Sequence, residues 1–204
     1  MLSQSHKPRV AFQGERGAFS EEAAVQMMGE EIELVPRVTF AALYSSVADQ
    51  VADYLVAPVE NSIAGVVGAS VTLLENSSLV ITDEIAIPIA QHLIACPGVS
   101  FAALEAVQSH PVALAQCSRF FAENPQLRQV TADDTAGSVA AIINRNEQTV
   151  AAIAGRRAAE IYGGVILREN IQDSTQNFTR FVLLSPSDAL INSKNLSLEK
   201  EPEK

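Results

Sequence analysis

The sequence predicts an α/β protein of two lobes, with the chain crossing between them twice and a cleft where they meet. Three observations carry this. The first third alternates short apolar runs with helical stretches in the order β-α-β-α-β-α, the pattern of a mainly parallel sheet with helices on its faces. The apolar run from Leu79 to Cys96 is too long for one ordinary strand and is interrupted by Pro88. After it, alternating strands and helices begin again. The boundaries that follow are 8–87 plus 177–190 for the first lobe, 88–176 for the second, and a polar, flexible tail over 191–204. The crossings fall near Pro88 and between Asp173 and Asn177.

Val10 to Gln13 starts the first strand, and Gly14 to Gly17 is a turn. Ser20, ahead of Glu21 and Glu22, has the features of a helix N-cap with acidic residues in the first turn; Gly29 stops that helix. Ile32 to Val38 alternates as a strand does. Thr39 caps a helix from Phe40 towards Ala52. Tyr54 to Val59 is a buried strand, and a helix follows to Glu75-Asn76. In the second lobe a helix is expected over Phe101–Val107 and another from Pro111 towards Ala122. A strand then covers Gln129–Ala132, and a helix capped by Asp134 or Thr135 runs to Asn144. A strand at Val150–Ala154, a helix at Arg157–Tyr162 stopped by Gly163-Gly164, and a strand at Val165–Ile171 complete it.

Composition narrows the function. The 204 residues are 48% hydrophobic and 19% charged, enough to build a substantial core, which without Trp must rest on Ala, Val, Ile and Leu. A net charge of −10 argues against nucleic acid or an anionic membrane as partner, because both are held by basic patches. It leaves room for a small anion held by helix N-termini and a few Arg side chains. Cys96 and Cys117 read as free thiols of a reducing compartment, and His6, His92 and His110 lack metal-ligand spacing. No signal-peptide pattern is present, and no run approaches the ~18 apolar residues of a membrane helix. A cytoplasmic protein without metal or other cofactor is the expectation.

Polar clusters sit at the strand ends, where an open α/β sheet places its ligands. Gly14-x-x-Gly17-Ala18-Phe19-Ser20 is either an ordinary strand–helix turn or a backbone cradle for an anion. Pro58-Val59-Glu60-Asn61-Ser62-x-x-Gly65 follows a buried strand; Asn61 or Ser62 is either a helix cap or a ligand group. Asn177-Phe178-Thr179-Arg180-Phe181 opens the last strand. Alternation puts Asn177, Thr179 and Phe181 on one face, Phe178 and Arg180 on the other. Ser109-His110-Pro111 is a fourth, weaker cluster.

In this order and spacing the clusters resemble the prephenate dehydratase family, through Gly14 to Ser20, Pro58 to Gly65, SHPVALAQC from Ser109 to Cys117, and Asn177 to Phe181. The resemblance covers about residues 9–185. It implies a two-lobed fold like the type II periplasmic binding proteins and the conversion of prephenate to phenylpyruvate, water and CO2 in phenylalanine biosynthesis. Arogenate, with an amino group in place of the keto oxygen, is the alternative substrate. A non-catalytic small-anion-binding module is the alternative from another class. The family's key Thr falls on Thr179. Glu60 is the candidate proton source, if burial raises its pKa. Asn61, Ser62, Ser20, Asn177, Arg180, Phe181, Ser109 and His110 are the candidate substrate-binding residues. The resemblance also implies a homodimer or higher homo-oligomer. Because the chain ends at Lys204 in polar sequence, the expectation is a catalytic region without an ACT regulatory domain.

Overall fold

The computed structural model describes residues 7–187. In chain order the first part holds β1 (Arg9–Gln13), α1 (Phe19–Met28), β2 (Glu33–Arg37), α2 (Phe40–Ala48), β3 (Tyr54–Asn61), β4 (Gly65–Val66), α3 (Gly68–Glu75) and β5 (Leu79–Pro88). The second holds β6 (His92–Ala95), β7 (Ala106–Ser109), α4 (Pro111–Ala115), α5 (Ser118–Glu123), β8 (Arg128–Thr131), α6 (Thr135–Asn144), β9 (Val150–Ala154), α7 (Arg156–Tyr162) and β10 (Val165–Arg168). The chain then returns to the first sheet as β11 (Phe178–Pro186). Residues 188–190 and the tail expected over 191–204 lie outside the described residues.

Two sheets result, with strand orders β2-β1-β3-β11-β5, to which β4 is joined through β3, and β10-β6-β9-β7-β8. They are mixed rather than mainly parallel. β1, β2 and β3 are parallel, whereas β11 runs antiparallel to both β3 and β5. In the second sheet β7, β8 and β9 are parallel, and β6 runs antiparallel to both of its neighbours, β9 and β10. The reason is the double crossing. Each crossing strand enters its sheet from the far lobe, so it meets its neighbours head to tail. We call each sheet with its helices a lobe.

Both faces of each sheet are buried. In the first lobe Ala11, Leu55, Val182 and Leu184 pack towards α2 and α3, while Val10, Val56, Phe181 and Leu183 pack towards α1. In the second, Leu93, Ala151 and Ile153 face one core and Ile94, Ala152 and Ala154 the other. This explains why these strands read as unbroken apolar runs. Truncating a fully buried residue such as Leu55 or Ile153 to Ala is worth about 2–5 kcal/mol of stability.

The prolines follow the hydrogen bonding. Pro36 lies in edge strand β2, and Pro88 ends edge strand β5. Pro58 is in an inner strand, next to the register shift between Arg180 and Phe181, where the ladder is already irregular.

Several expected elements differ. The run from Leu79 to Cys96 is two strands in two sheets, separated by Ile89–Gln91. The helix expected at Phe101–Val107 is a single 3-10 turn, Phe101–Ala103, followed by β7. The helix expected through Ala122 is broken into α4 and α5 at Gln116-Cys117. The N-cap of α1 is Ala18, so Ser20 lies inside the first turn and is buried. Thr39 and Asp134 do cap α2 and α6, accepting from Ala42 N–H and Gly137 N–H.

Candidate active site

The two lobes enclose a cavity of about 360 Å³, a size suited to a small metabolite. Its walls come from both lobes: Phe19, Ser20, Phe40, Asn61, Thr179 and Phe181 from the first, and Ile89, Gln91, His110, Gln116, Asp133 and Thr135 among those from the second. Among the described residues, no Lys or Arg lines it.

At its centre is a bonded chain of polar side chains. Asn61 ends β3 and Thr179 is the second residue of β11, and the two are register partners. Asn61 Nδ2 donates to Thr179 Oγ1 at 2.9 Å, to Asn177 Oδ1 at 2.8 Å and to the Phe178 carbonyl at 3.1 Å. Asn61 Oδ1 accepts the N–H groups of Ile63 at 3.0 Å and Ala64 at 2.8 Å. Two backbone donors on one end fix which end of this amide is oxygen. Thr179 Oγ1 is therefore an acceptor from Asn61, and its own O–H remains to be given to something else. Thr179 is 9% exposed and lines the cavity.

Asn177 is buried, and its amide spans the lobes. Oδ1 accepts from Asn61, and Nδ2 donates to Gln116 Oε1 at 3.0 Å. Phe181 forms part of the apolar wall. Ser20 lines the cavity at the start of α1, where the N–H groups of Glu21 and Glu22 bond to the Ala18 carbonyl. The N–H groups of Phe19 and Ser20 precede the first intrahelical bond and are the ones a helix start offers to an anion. The N-terminus of α6 reaches the same cavity through Asp134 and Thr135. His110 caps α4, its Nδ1 accepting Val112 N–H at 3.2 Å. An imidazole accepting at Nδ1 carries its proton on Nε2.

Four expected site residues stand elsewhere. Glu60 is exposed and points away from the cavity, because strand alternation places it opposite Asn61. Arg180 is on the same outer face and meets Glu60 at 3.5 Å and Glu84 at 3.4 Å. These are solvent-facing contacts, and Glu60 is not buried as a proton source would require. Ser62 donates to the Gln176 carbonyl at 2.9 Å and accepts Phe178 N–H at 3.0 Å, so it secures the second crossing and not a ligand. Ser109 is fully buried at the end of β7, its Oγ committed to the Ile153 carbonyl at 2.6 Å.

The sequence reading missed two residues. Gln91 is 2% exposed, lines the cavity, and has an Oε1 without a hydrogen-bond partner, the only such side-chain atom among the described residues. Its backbone N–H is held by Gln172 Oε1 at 2.9 Å. Glu21, expected to be an ordinary first-turn acid, has no solvent exposure and pairs with Arg16 and Arg157. Cys117 is not a candidate nucleophile: burial, with Asp173 nearby, pushes its thiol up to about 12. Among the described residues, no group of His, Cys, Asp and Glu is arranged to hold a metal, and no helix is long and apolar enough to cross a membrane.

The fold and cavity define a two-lobed α/β protein with a cleft of small-molecule size between its lobes, walled by helix starts, one oriented hydroxyl and apolar side chains. The family is also identifiable. The prephenate dehydratase family model matches residues 10–189, and the chain belongs to that family. Arogenate dehydratase 1 of Petunia hybrida is 41% identical over 178 residues, covering 87% of this chain and 42% of its own length. The bifunctional chorismate mutase/prephenate dehydratase of Aquifex aeolicus is 36% identical, covering 92% of this chain and 51% of its own length. The chain thus spans about half or less of these relatives. The structure of prephenate dehydratase from Arthrobacter aurescens in complex with L-Phe superposes with a TM-score of 0.80 at 30% identity, covering 87% of this chain and 60% of that one.

Proposed function

We propose that this chain catalyses the decarboxylating dehydration of prephenate to phenylpyruvate, water and CO2. The observation that carries the proposal is the Asn61–Thr179 pair on the cavity wall, which leaves the Thr179 O–H for a ligand oxygen.

The reaction breaks a C–O bond and a C–C bond. The electrons of the departing carboxylate form the new ring double bond, and the hydroxyl leaves as water after gaining a proton. Thr179 donates its O–H to the leaving oxygen, where negative charge develops. A threonine hydroxyl is too weak an acid to supply the proton outright. With Glu60 turned outward, the proton comes from solvent; the His110 ring, neutral because its Nδ1 accepts Val112 N–H, is no stronger an acid than the Thr179 hydroxyl and serves to orient the water that relays it. The N-termini of α1 and α6 receive the side-chain carboxylate.

The ring carboxylate needs the opposite treatment. A cation on it would stabilise the ground state without helping CO2 to leave. Among the described residues the cavity wall has no Lys or Arg and instead offers Phe19, Phe40, Val67, Ile89 and Phe181, which also suit the aromatic ring of the product.

Arogenate is the second reading, and Asp133 and Asp134 on the cavity wall favour it. Arogenate carries an ammonium where prephenate has a keto oxygen, so it brings one less net negative charge to an acidic wall. A non-catalytic anion-binding role leaves the oriented hydroxyl without a purpose. A cytoplasmic location belongs to the same proposal and is supported by the two free cysteines. So does the homodimer or higher oligomer, which light scattering on purified protein tests.

The deciding experiment supplies purified protein with prephenate and, separately, arogenate, and follows phenylpyruvate and phenylalanine by chromatography. The higher kcat/KM identifies the substrate. Absence of turnover of both by folded protein rejects the dehydratase reading.

A further inference from the structure

A cleft built from two lobes works only if the lobes hold the right separation. With two covalent crossings, the default expectation is a hinge that opens and closes. The structure contains a device that opposes this, and it is centred on Glu21.

Glu21 is fully buried, yet it carries a carboxylate. Its Oε2 accepts Arg16 Nε at 2.8 Å and Gly17 N–H at 2.9 Å, both from its own lobe. Its Oε1 accepts Arg157 Nε at 2.9 Å and Nη2 at 2.8 Å. Arg157 lies on α7, in the other lobe. The carboxylate therefore binds one Arg from each side, and the Arg157 guanidinium approaches it as a fork. A buried charge of this kind is tolerated only while its partners stay in place.

The backbone around it is fitted as closely. Gly17 has φ +86°, and a Cβ there would lie 2.7 Å from Ala158 Cα and 3.0 Å from Ala158 N. A Cβ on Gly155 would lie 3.0 Å from the Phe19 ring. Glycine at 17 lets the turn before α1 touch the main chain of α7, and glycine at 155 leaves room for the Phe19 ring against the start of α7. The same turn carries Ala18, Phe19 and Ser20 into the cavity wall. At a separate point of the cavity, Asn177 joins Asn61 to Gln116. The lobes are thus bonded away from the crossings at Glu21–Arg157, and again at the second crossing through Asn177.

We propose that Glu21 is a positioning residue that locks the two lobes at a single cleft opening, so that the site is assembled before substrate arrives. The three limbs of the carboxylate have different duties. Arg157 ties the lobes, whereas Arg16 and Gly17 only hold Glu21 and its turn. Removing Arg157 frees the lobes; removing Arg16 does not.

The test is a distance measurement between spin labels on Ser45→Cys in α2 and Glu123→Cys in α5, both exposed positions in different lobes. The native Cys96 and Cys117 are buried and stay unlabelled. Three backgrounds are compared, without ligand and with saturating prephenate: the parent chain, Arg157→Met and Arg16→Met. Arg157→Met is chosen over a Glu21 variant because it leaves Glu21 its Arg16 and Gly17 bonds, so folding is retained. The expected result is one narrow distance in the parent, unmoved by prephenate and retained in Arg16→Met, and a broader, displaced distribution in Arg157→Met. Identical distributions in parent and Arg157→Met overturn the proposal, as does a parent distance that shifts when prephenate is added. The ligand-free comparison decides the lock even if prephenate does not bind, which separates its failure from that of the dehydratase reading. The kinetic arm rests on that reading: Arg157→Met should raise KM about tenfold with kcat within about twofold, and Arg157→Lys should recover part of the loss. An unchanged KM in Arg157→Met counts against the lock.

Discussion

Asn61 gives its N–H to the Thr179 hydroxyl oxygen while two backbone N–H groups hold its own oxygen. The direction of that bond is what suits Thr179 to the role proposed for it. A hydroxyl already accepting from Asn61 turns its proton elsewhere. Asn61→Asp reverses this arrangement with almost no change of shape. Its second carboxylate oxygen faces Thr179 and takes the proton meant for the leaving group. We expect kcat to fall by about a hundredfold, the order seen when one donor to a developing oxyanion is lost, with a smaller change in KM. Thr179→Val should match that loss, and Thr179→Ser should retain most activity. Steady-state kinetics with the preferred substrate checks all three, and a Thr179→Val enzyme with near-normal kcat removes Thr179 from the mechanism.

Glu60 makes the contrasting case. It stands on the solvent face and meets Arg180 at 3.5 Å in an exposed pair. Exposed pairs contribute about 0–1 kcal/mol. Glu60→Gln is therefore expected to leave kcat within about twofold and the denaturation midpoint nearly unchanged. A severe loss of kcat at unchanged stability would restore Glu60 as the proton source.

Gln91 should show the trade between stability and function that marks a binding site. Its buried Oε1 lacks a donor, and leaving such a group unsatisfied costs about 1–3 kcal/mol. Gln91→Leu removes that cost and nearly preserves volume, so thermal stability should hold or rise. If substrate meets this amide, kcat/KM falls by about tenfold, the weight of one hydrogen bond. Thermal melts beside steady-state kinetics check the pair of outcomes. Lower stability with unchanged kcat/KM would make Gln91 structural.

His92 predicts a pH dependence. Burial first, then the nearby Arg156 charge, push its pKa below the ordinary value of 6.5, with Glu169 opposing. Its Nδ1 accepts Asn170 N–H at 3.2 Å, which also requires the neutral ring. In the unfolded chain this imidazole takes a proton near 6.5, whereas in the folded chain it does not. Stability contributed by neutral His92 is therefore present above 6.5 and is lost as pH falls from there towards the folded-state value. The slope is at most about 1.4 kcal/mol per pH unit. Denaturant melts between pH 5 and pH 7 should show it, and His92→Gln should flatten it.

Much of this was readable before any coordinates. The crossing at Pro88 was marked by a proline inside an apolar run, and alternation alone set Asn177, Thr179 and Phe181 on one face, apart from Phe178 and Arg180. The same alternation separates Glu60 from Asn61. Which of the two meets the cleft depends on β11 pairing with β3, a contact between residues more than a hundred positions apart. β7 was misread because Phe101, Leu104 and Val107 repeat with helical spacing, while the pairing of Ala106–Ser109 between β8 and β9 overrides it. The Glu21–Arg157 bond joins positions 136 apart, and nothing local distinguishes Glu21 from a capping acid.

The place of β11 has a consequence for how the protein is made. The last strand in sequence among the described residues lies between β3 and β5, so the first sheet has a gap until residues near 186 leave the ribosome. Until then β3 and β5 each present an unpaired edge, while the second lobe already has all five of its strands. The second lobe is thus expected to fold first during synthesis, and the N-terminal half waits for the C-terminal strand. Thr179 arrives on that same strand. Closure of the sheet and assembly of the Asn61–Thr179 pair are one event, so a nascent chain completes its cavity wall at the moment it loses its exposed edges.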